Sequence, residues 1–167
     1  MKQSKKMALG GIFAALAVVI MSMGGLIPVA TFVCPMFCMI LLCLVTQFCG
    51  RRTGWAWYGA VSVLAVLLGP DEEAAAVFFF LGYYPIMKPK LDNIKFSGLW
   101  KLLLFNISVG VMYFLLIRLL GMDQIATEYA DLGSVLTVIM LVLGNATFFL
   151  LDMVLGRLNF KKKQGQR

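Results

Sequence analysis

Six apolar stretches, separated by short polar segments, run along the chain. From the apolar pattern and the placement of glycine and proline, we predict helices at 7–23, 31–48, 53–68, 73–87, 99–120 and 133–156. About 20 apolar residues are needed for a helix to span the hydrocarbon core of a bilayer. The pattern therefore predicts an all-α fold, a polytopic membrane protein built as a bundle of six transmembrane helices.

The predicted third and fourth helices are short for a full crossing, since an α-helix rises about 1.5 Å per residue and the core is about 30 Å thick. Between them lies Gly69-Pro70-Asp71-Glu72-Glu73, which concentrates three carboxylates. A charged side chain costs on the order of 2.5–3.5 kcal/mol at the bilayer centre, so we expect this segment in water. Two short crossings satisfy that condition. A re-entrant hairpin also fits the basic residues at its ends but would place the acids near mid-membrane.

Composition agrees with a membrane protein: 61% of the 167 residues are hydrophobic, and the mean hydropathy is +0.90. The length predicts a single integral membrane domain, 1–167, with a short basic tail at about 157–167. The net charge of +7 comes from short clusters between apolar runs, which argues against nucleic-acid binding. In a six-crossing arrangement every lysine and arginine except Arg118 falls on the side of the termini. The positive-inside rule then places both termini in the cytoplasm, and we expect a multi-pass protein of the bacterial cytoplasmic membrane.

Enzyme chemistry is not indicated, because the chain has no histidine and shows no Gly-rich phosphate loop or zinc signature. We therefore expect neither catalysis nor a cofactor.

The cysteines lie together in one apolar stretch, where they serve either as small packing residues or as a metal or redox site. They are Cys34, Cys38, Cys43 and Cys49. Asp152 is expected to pair with Arg157 or with a loop cation near the interface.

Small residues recur on the first helix, in the pairs Gly10/Ala14 and Gly11/Ala15. In lipid such pairs let another helix backbone approach closely. The partner is either another helix of this bundle or a separate membrane protein.

A ligand pocket is predicted in the extracytoplasmic half, under the connections at 24–30, 69–73 and 121–132. Arg118 would bind an anionic group there or pair with Asp123. Asn145 lies in the middle of the last helix, where its amide needs a partner from another helix or from a ligand. The candidate substrate-binding residues are Thr31, Cys34, Phe78, Tyr113, Arg118, Ser134, Thr137 and Asn145.

The chain resembles the substrate-binding S component of an energy-coupling factor (ECF) transporter. The resemblance is carried by the six-helix topology, by the opening Lys5-Lys6-Met7-Ala8-Leu9-Gly10-Gly11-Ile12-Phe13-Ala14-Ala15-Leu16-Ala17, and by Ile27-Pro28 in the first loop. It implies capture of a small, vitamin-like nutrient for an ABC transporter that contains a transmembrane coupling subunit and two ATPase subunits.

By the same resemblance, an Ala-xxx-Ala motif on the first helix docks onto the coupling subunit. The matching positions here are Gly11 and Ala15, with glycine in place of the first alanine, and Ala8 lies on the same side. The alternative function is a membrane scaffold or assembly factor without a small-molecule ligand. A small enzyme acting on lipid is disfavoured because no catalytic constellation is present.

Overall fold

A computed structural model describes residues 3–23, 30–119 and 133–164, and it confirms the all-α polytopic membrane fold. Four segments of the described chain are long and apolar enough to cross a bilayer: Gln3–Ser22, Thr31–Cys49, Ser97–Arg118 and Leu141–Leu158. The helices are α1 (Gln3–Ser22), α2 (Ala30–Cys49), α3 (Arg51–Leu68), α4 (Glu72–Leu81), α5 (Tyr84–Leu91), α6 (Ser97–Leu119) and α7 (Gly133–Gln164).

The predicted fourth helix is divided into α4 and α5, with Gly82 as the C-cap of α4. Pro85 has no N–H to donate to the carbonyl of Leu81, so the helical hydrogen-bond pattern stops and restarts there. At 10 and 8 residues, α4 and α5 are about 15 and 12 Å long.

The predicted sixth helix ends later than expected, because the basic segment beyond Gly156 continues α7 as far as Gln164. Lysine, arginine and glutamine are good helix formers, which explains this extension.

The chain divides into two compact units, Met1–Lys95 and Phe96–Arg167. In the first unit α2 is central, because it packs against α1, α3, α4 and α5. Its core is formed mainly by Ala17, Met21, Cys38, Met39, Leu42, Val45, Val61, Phe78, Tyr84 and Ile86, all at most 2% exposed.

The four cysteines are buried free thiols that contribute to this packing. Cys38 Sγ donates to the Ala17 carbonyl at 3.5 Å, and Cys49 Sγ donates to the Lys6 carbonyl at 3.3 Å. Both acceptors lie on α1, so the thiols help to hold α1 against α2. Among the described residues, no three cysteine or acidic side chains gather into a possible metal site.

α2 and α3 approach each other closely at Gly54, which is buried. A Cβ atom at Gly54 would lie 2.6 Å from Thr46 Oγ1 and 3.4 Å from Thr46 Cβ. The Thr46 hydroxyl is itself held in place, because it donates to the Leu42 carbonyl at 2.7 Å. A side chain at position 54 therefore forces the two helices apart.

We expect Gly54→Val to destabilise the protein by about 1–3 kcal/mol, the usual cost of overpacking a close contact. Gly59→Val is the matched control on the same helix, because Gly59 is exposed and a Cβ there has no neighbour within 4 Å. Thermal unfolding of both variants in the same detergent compares the two sites. Equal melting temperatures for the two variants would show that the contact between Gly54 and Thr46 is not tight.

In the second unit α6 and α7 run antiparallel. Rising residue numbers on α6 meet falling numbers on α7 in the pairs Lys101/Asp152, Phe105/Phe148 and Asn106/Asn145. The rings of Phe105 and Phe148 stack with centroids 4.5 Å apart at 21°. Further apolar side chains on these helices are also buried, namely Met112, Leu116, Leu151 and Leu155.

Candidate functional site

The predicted ligand residues fall in both units, and the first three lie in the unit of α1 to α5. Thr31 is in the first turn of α2, and its hydroxyl donates to Asp71 Oδ2 at 2.7 Å. Asp71 is the N-cap of α4, because its Oδ1 accepts from the Ala74 backbone N–H at 3.0 Å. One carboxylate thus joins the start of α2 to the start of α4.

The acidic segment 69–73 places negative charges at the N-terminus of α4. Glu72 and Glu73 occupy the first turn of α4, where the helix dipole stabilises negative charge. Pro70 and Glu72 are exposed, whereas Asp71 and Glu73 are partly buried. The segment therefore presents carboxylates at the end of the unit where α2 and α4 begin.

Cys34 lies one turn beyond Thr31 and is 8% exposed. Phe78 is fully buried, and its ring packs against Tyr58 at 5.9 Å between centroids. Tyr58 donates its hydroxyl to the Phe79 carbonyl and also contacts the rings of Trp55 and Tyr83. The structure thus places Phe78 in an aromatic core between α3 and α4.

The other predicted ligand residues belong to the second unit. Tyr113 is partly buried, and Arg118 is exposed near the end of α6. Ser134 and Thr137 are in the first turns of α7, but the structure does not describe their side chains. Asp123 lies outside the described residues altogether.

Asn145 has its partner on the neighbouring helix. Asn106 Nδ2 donates to Asn145 Oδ1 at 2.9 Å, and Asn145 Nδ2 donates to Asn106 Oδ1 at 3.3 Å. Each amide also donates to the carbonyl four residues earlier, Leu102 and Leu141 respectively, at 2.8 Å. Both side-chain NH₂ groups are therefore fully used. Side-chain hydrogen bonds between transmembrane helices contribute about 0.6 kcal/mol on average.

Asp152 also pairs across the two helices. Its Oδ2 lies 3.2 Å from Lys101 Nζ, and the two side chains are only 20% and 10% exposed. This partner, Lys101, is a cation near the start of α6. The α6–α7 contact thus carries an ion pair, a stacked aromatic pair and an amide pair in succession.

The two small-residue pairs of α1 lie on different faces. Gly10 is buried, as are Ala17 and Met21, and its carbonyl accepts a hydrogen bond from Trp57 Nε1 at 3.1 Å. The predicted docking residues Ala8, Gly11 and Ala15 are all exposed. A Cβ atom at Gly11 has no neighbour within 4 Å.

Trp57 does not lie at the surface, although tryptophan is enriched in the aromatic belt at membrane interfaces. It is 6% exposed and lies between α1 and α3. Trp55 and Trp100 are 42% and 52% exposed, which leaves their rings accessible to a membrane interface.

Comparison of the chain with protein-family models, with characterised proteins and with solved structures found no match. The functional interpretation therefore depends on the placement of these residues and on the resemblance carried by the sequence.

Proposed function

We propose that this protein is a membrane-embedded substrate-capture subunit for the uptake of a small, vitamin-like nutrient through an ECF-type ABC transporter. It resides in the bacterial cytoplasmic membrane with both termini in the cytoplasm. It acts with a transmembrane coupling subunit and two ATPase subunits. The observation that carries the proposal is the division of α1 into a buried face around Gly10 and an exposed face of Ala8, Gly11 and Ala15.

Small residues on an exposed helix face suit a protein partner better than lipid. Contact with lipid chains sets no requirement for small side chains, whereas close approach of a second helix backbone does. Within the described part of their own unit, Ala8, Gly11 and Ala15 are all exposed and are therefore not buried by its packing. This supports docking of the coupling subunit on that face.

The ligand would be bound by residues of the predicted extracytoplasmic half. Arg118 is the principal candidate for an anionic group of the nutrient, because a guanidinium donates two parallel hydrogen bonds to a carboxylate or phosphate. The other candidates remain Thr31, Cys34, Phe78, Tyr113, Ser134, Thr137 and Asn145. Of these, Thr31 and Asn145 already hold structural hydrogen bonds, to Asp71 and Asn106.

We expect gently purified protein to release one small organic molecule, identified by mass spectrometry of the denatured sample. With that molecule in hand, Arg118→Ala should weaken binding about tenfold or more, the cost of losing a charge-assisted hydrogen bond. Arg157→Ala is the matched control, an exposed arginine near the other end of the same helix pair.

Two outcomes would contradict this proposal. A chain that retains no molecule, yet copurifies with other membrane proteins, would be a scaffold or assembly factor. Equal affinity of the Arg118→Ala and Arg157→Ala variants would remove Arg118 from the binding site.

A further inference from the structure

A cavity of about 270 Å³ opens where α1 begins, α2 ends and α3 begins. It is lined by Gln3, Lys6, Met7, Cys49 and Thr53. Gln3, Lys6 and Thr53 contribute an amide, an ammonium and a hydroxyl to the lining, Met7 is apolar, and the Cys49 thiol donates to the Lys6 carbonyl. The volume is slightly below the roughly 300–1,000 Å³ of pockets for drug-sized ligands, so it suits a small polar group.

The surroundings of the cavity are strongly basic. Three exposed cations lie beside the lining residues in the sequence. Lys5 precedes Lys6, and Arg51 and Arg52 lie between Cys49 and Thr53. No aspartate or glutamate precedes Asp71 in the chain, so α1, α2 and α3 contain no carboxylate side chain that would neutralise these cations. An anion is the ligand that this charge distribution favours.

The cavity also lies at a defined depth. The membrane-spanning segments Gln3–Ser22 and Thr31–Cys49 begin and end beside it. The ends of such segments meet the headgroup layer of the bilayer, where basic residues attract anionic lipids.

We propose that this cavity binds the phosphodiester of an anionic phospholipid such as phosphatidylglycerol. Lys6 contacts the phosphate, and Gln3 donates a hydrogen bond to the headgroup. The Thr53 hydroxyl, which donates to the Cys49 carbonyl at 3.3 Å, accepts from a headgroup hydroxyl. Met7 and Cys49 contact the CH₂ groups of the glycerol. Free phosphate and the lipid headgroup both offer a phosphate anion. The bound molecule is the lipid because the cavity lies at the level of the headgroups. This site is independent of the proposed nutrient uptake.

Native mass spectrometry of the full chain in detergent, titrated with phosphatidylglycerol, tests the site. We expect Lys6→Gln to weaken phosphatidylglycerol binding about fivefold or more, because one basic residue is lost from an anionic contact. Lys90→Gln is the matched control, an exposed cation of α5 that does not line the cavity, and it should change binding less than about twofold. Phosphatidylcholine, which has no net charge, should bind more weakly than phosphatidylglycerol.

A second variant separates a shaped site from general attraction between charges. Thr53→Phe fills the cavity without changing any charge, and Thr53 is exposed, so the fold should tolerate it. We expect it to weaken phosphatidylglycerol binding as much as Lys6→Gln does. Gln3→Trp, also at an exposed position, serves the same purpose if Thr53→Phe fails to fold.

Three results would overturn the proposal. Equal losses for Lys6→Gln and Lys90→Gln would show attraction to total charge only. Unchanged binding in a folded cavity-filling variant would place the lipid elsewhere. Displacement of phosphatidylglycerol by millimolar inorganic phosphate would make the cavity a site for free phosphate.

Discussion

Replacing Gly11 and Ala15 together by valine is expected to abolish both complex formation with the proposed coupling subunit and the proposed nutrient transport, while the isolated protein stays folded. The two positions lie four residues apart and therefore stack on one face of α1. Branched side chains there would hold a partner helix away and remove the close contacts that drive association in lipid. The fold should survive because both positions are exposed. Copurification with the coupling subunit and uptake by whole cells are the measurements.

The matched control introduces the same residue twice on the same helix. Ile12 and Leu16 are 65% and 44% exposed and lie on the neighbouring part of the α1 surface. Ile12→Val with Leu16→Val should leave complex formation and transport unchanged. Full copurification of the Gly11→Val, Ala15→Val variant would show that the partner docks elsewhere. Failure of that variant to fold would show that the face packs within the bundle.

The second large effect is expected at the Lys101–Asp152 pair. Lys101→Met should lower the free energy of unfolding by about 3 kcal/mol, the lower end of the range for breaking a buried ion pair. The lower end applies because a fifth of the Asp152 side chain is exposed, and solvent screens that part of the charge. The physical cause is the carboxylate that remains between two helices after its ammonium partner is removed. Unfolding in a detergent series measures the loss.

A double variant distinguishes the loss of the pair from the loss of packing by the lysine side chain. Lys101→Met with Asp152→Leu removes both charges and should recover most of the lost stability, because apolar replacement of a buried pair is often neutral. Lys90→Met is the control for removal of an exposed lysine and should have little effect. A double variant as unstable as the sum of its single variants would show that the two groups do not interact.

Helix placement was predictable from the sequence wherever a segment is long, apolar and bounded by glycine or polar residues. The ends of α1, α2, α3 and α6 lie within a few residues of the predicted positions. The region 73–87 was predicted as one helix because its apolar pattern continues across Gly82 and Pro85, although those two residues indicated a bend or an end within it. The missing N–H of Pro85 interrupts the helix there. The helical tail beyond Gly156 was missed since its basic residues resemble a solvated terminus.

The partners of individual polar side chains were not predictable in the same way. The sequence identified Asn145 and Asp152 as groups that need partners, but the partner depends on the register between α6 and α7. Once Phe105 stacks on Phe148, the antiparallel geometry brings Asn106 to Asn145 and Lys101 to Asp152. A search for amides at equal depth in two apolar stretches would have found Asn106. The separation of Gly10 from Gly11 also required the packing of Trp57, which no local pattern reveals.

The buried indole of Trp57 gives the protein an intrinsic optical reporter. The chain contains three tryptophans, and the other two, Trp55 and Trp100, are about half exposed. Replacing those two by phenylalanine leaves a single tryptophan, whose N–H is hydrogen-bonded to the backbone of α1 and which can be excited apart from the tyrosines at wavelengths too long for them to absorb. Its emission wavelength then reports in real time whether α1 stays packed against α3. Any event that tilts or lifts α1, including the approach of another membrane protein, becomes visible without an attached dye.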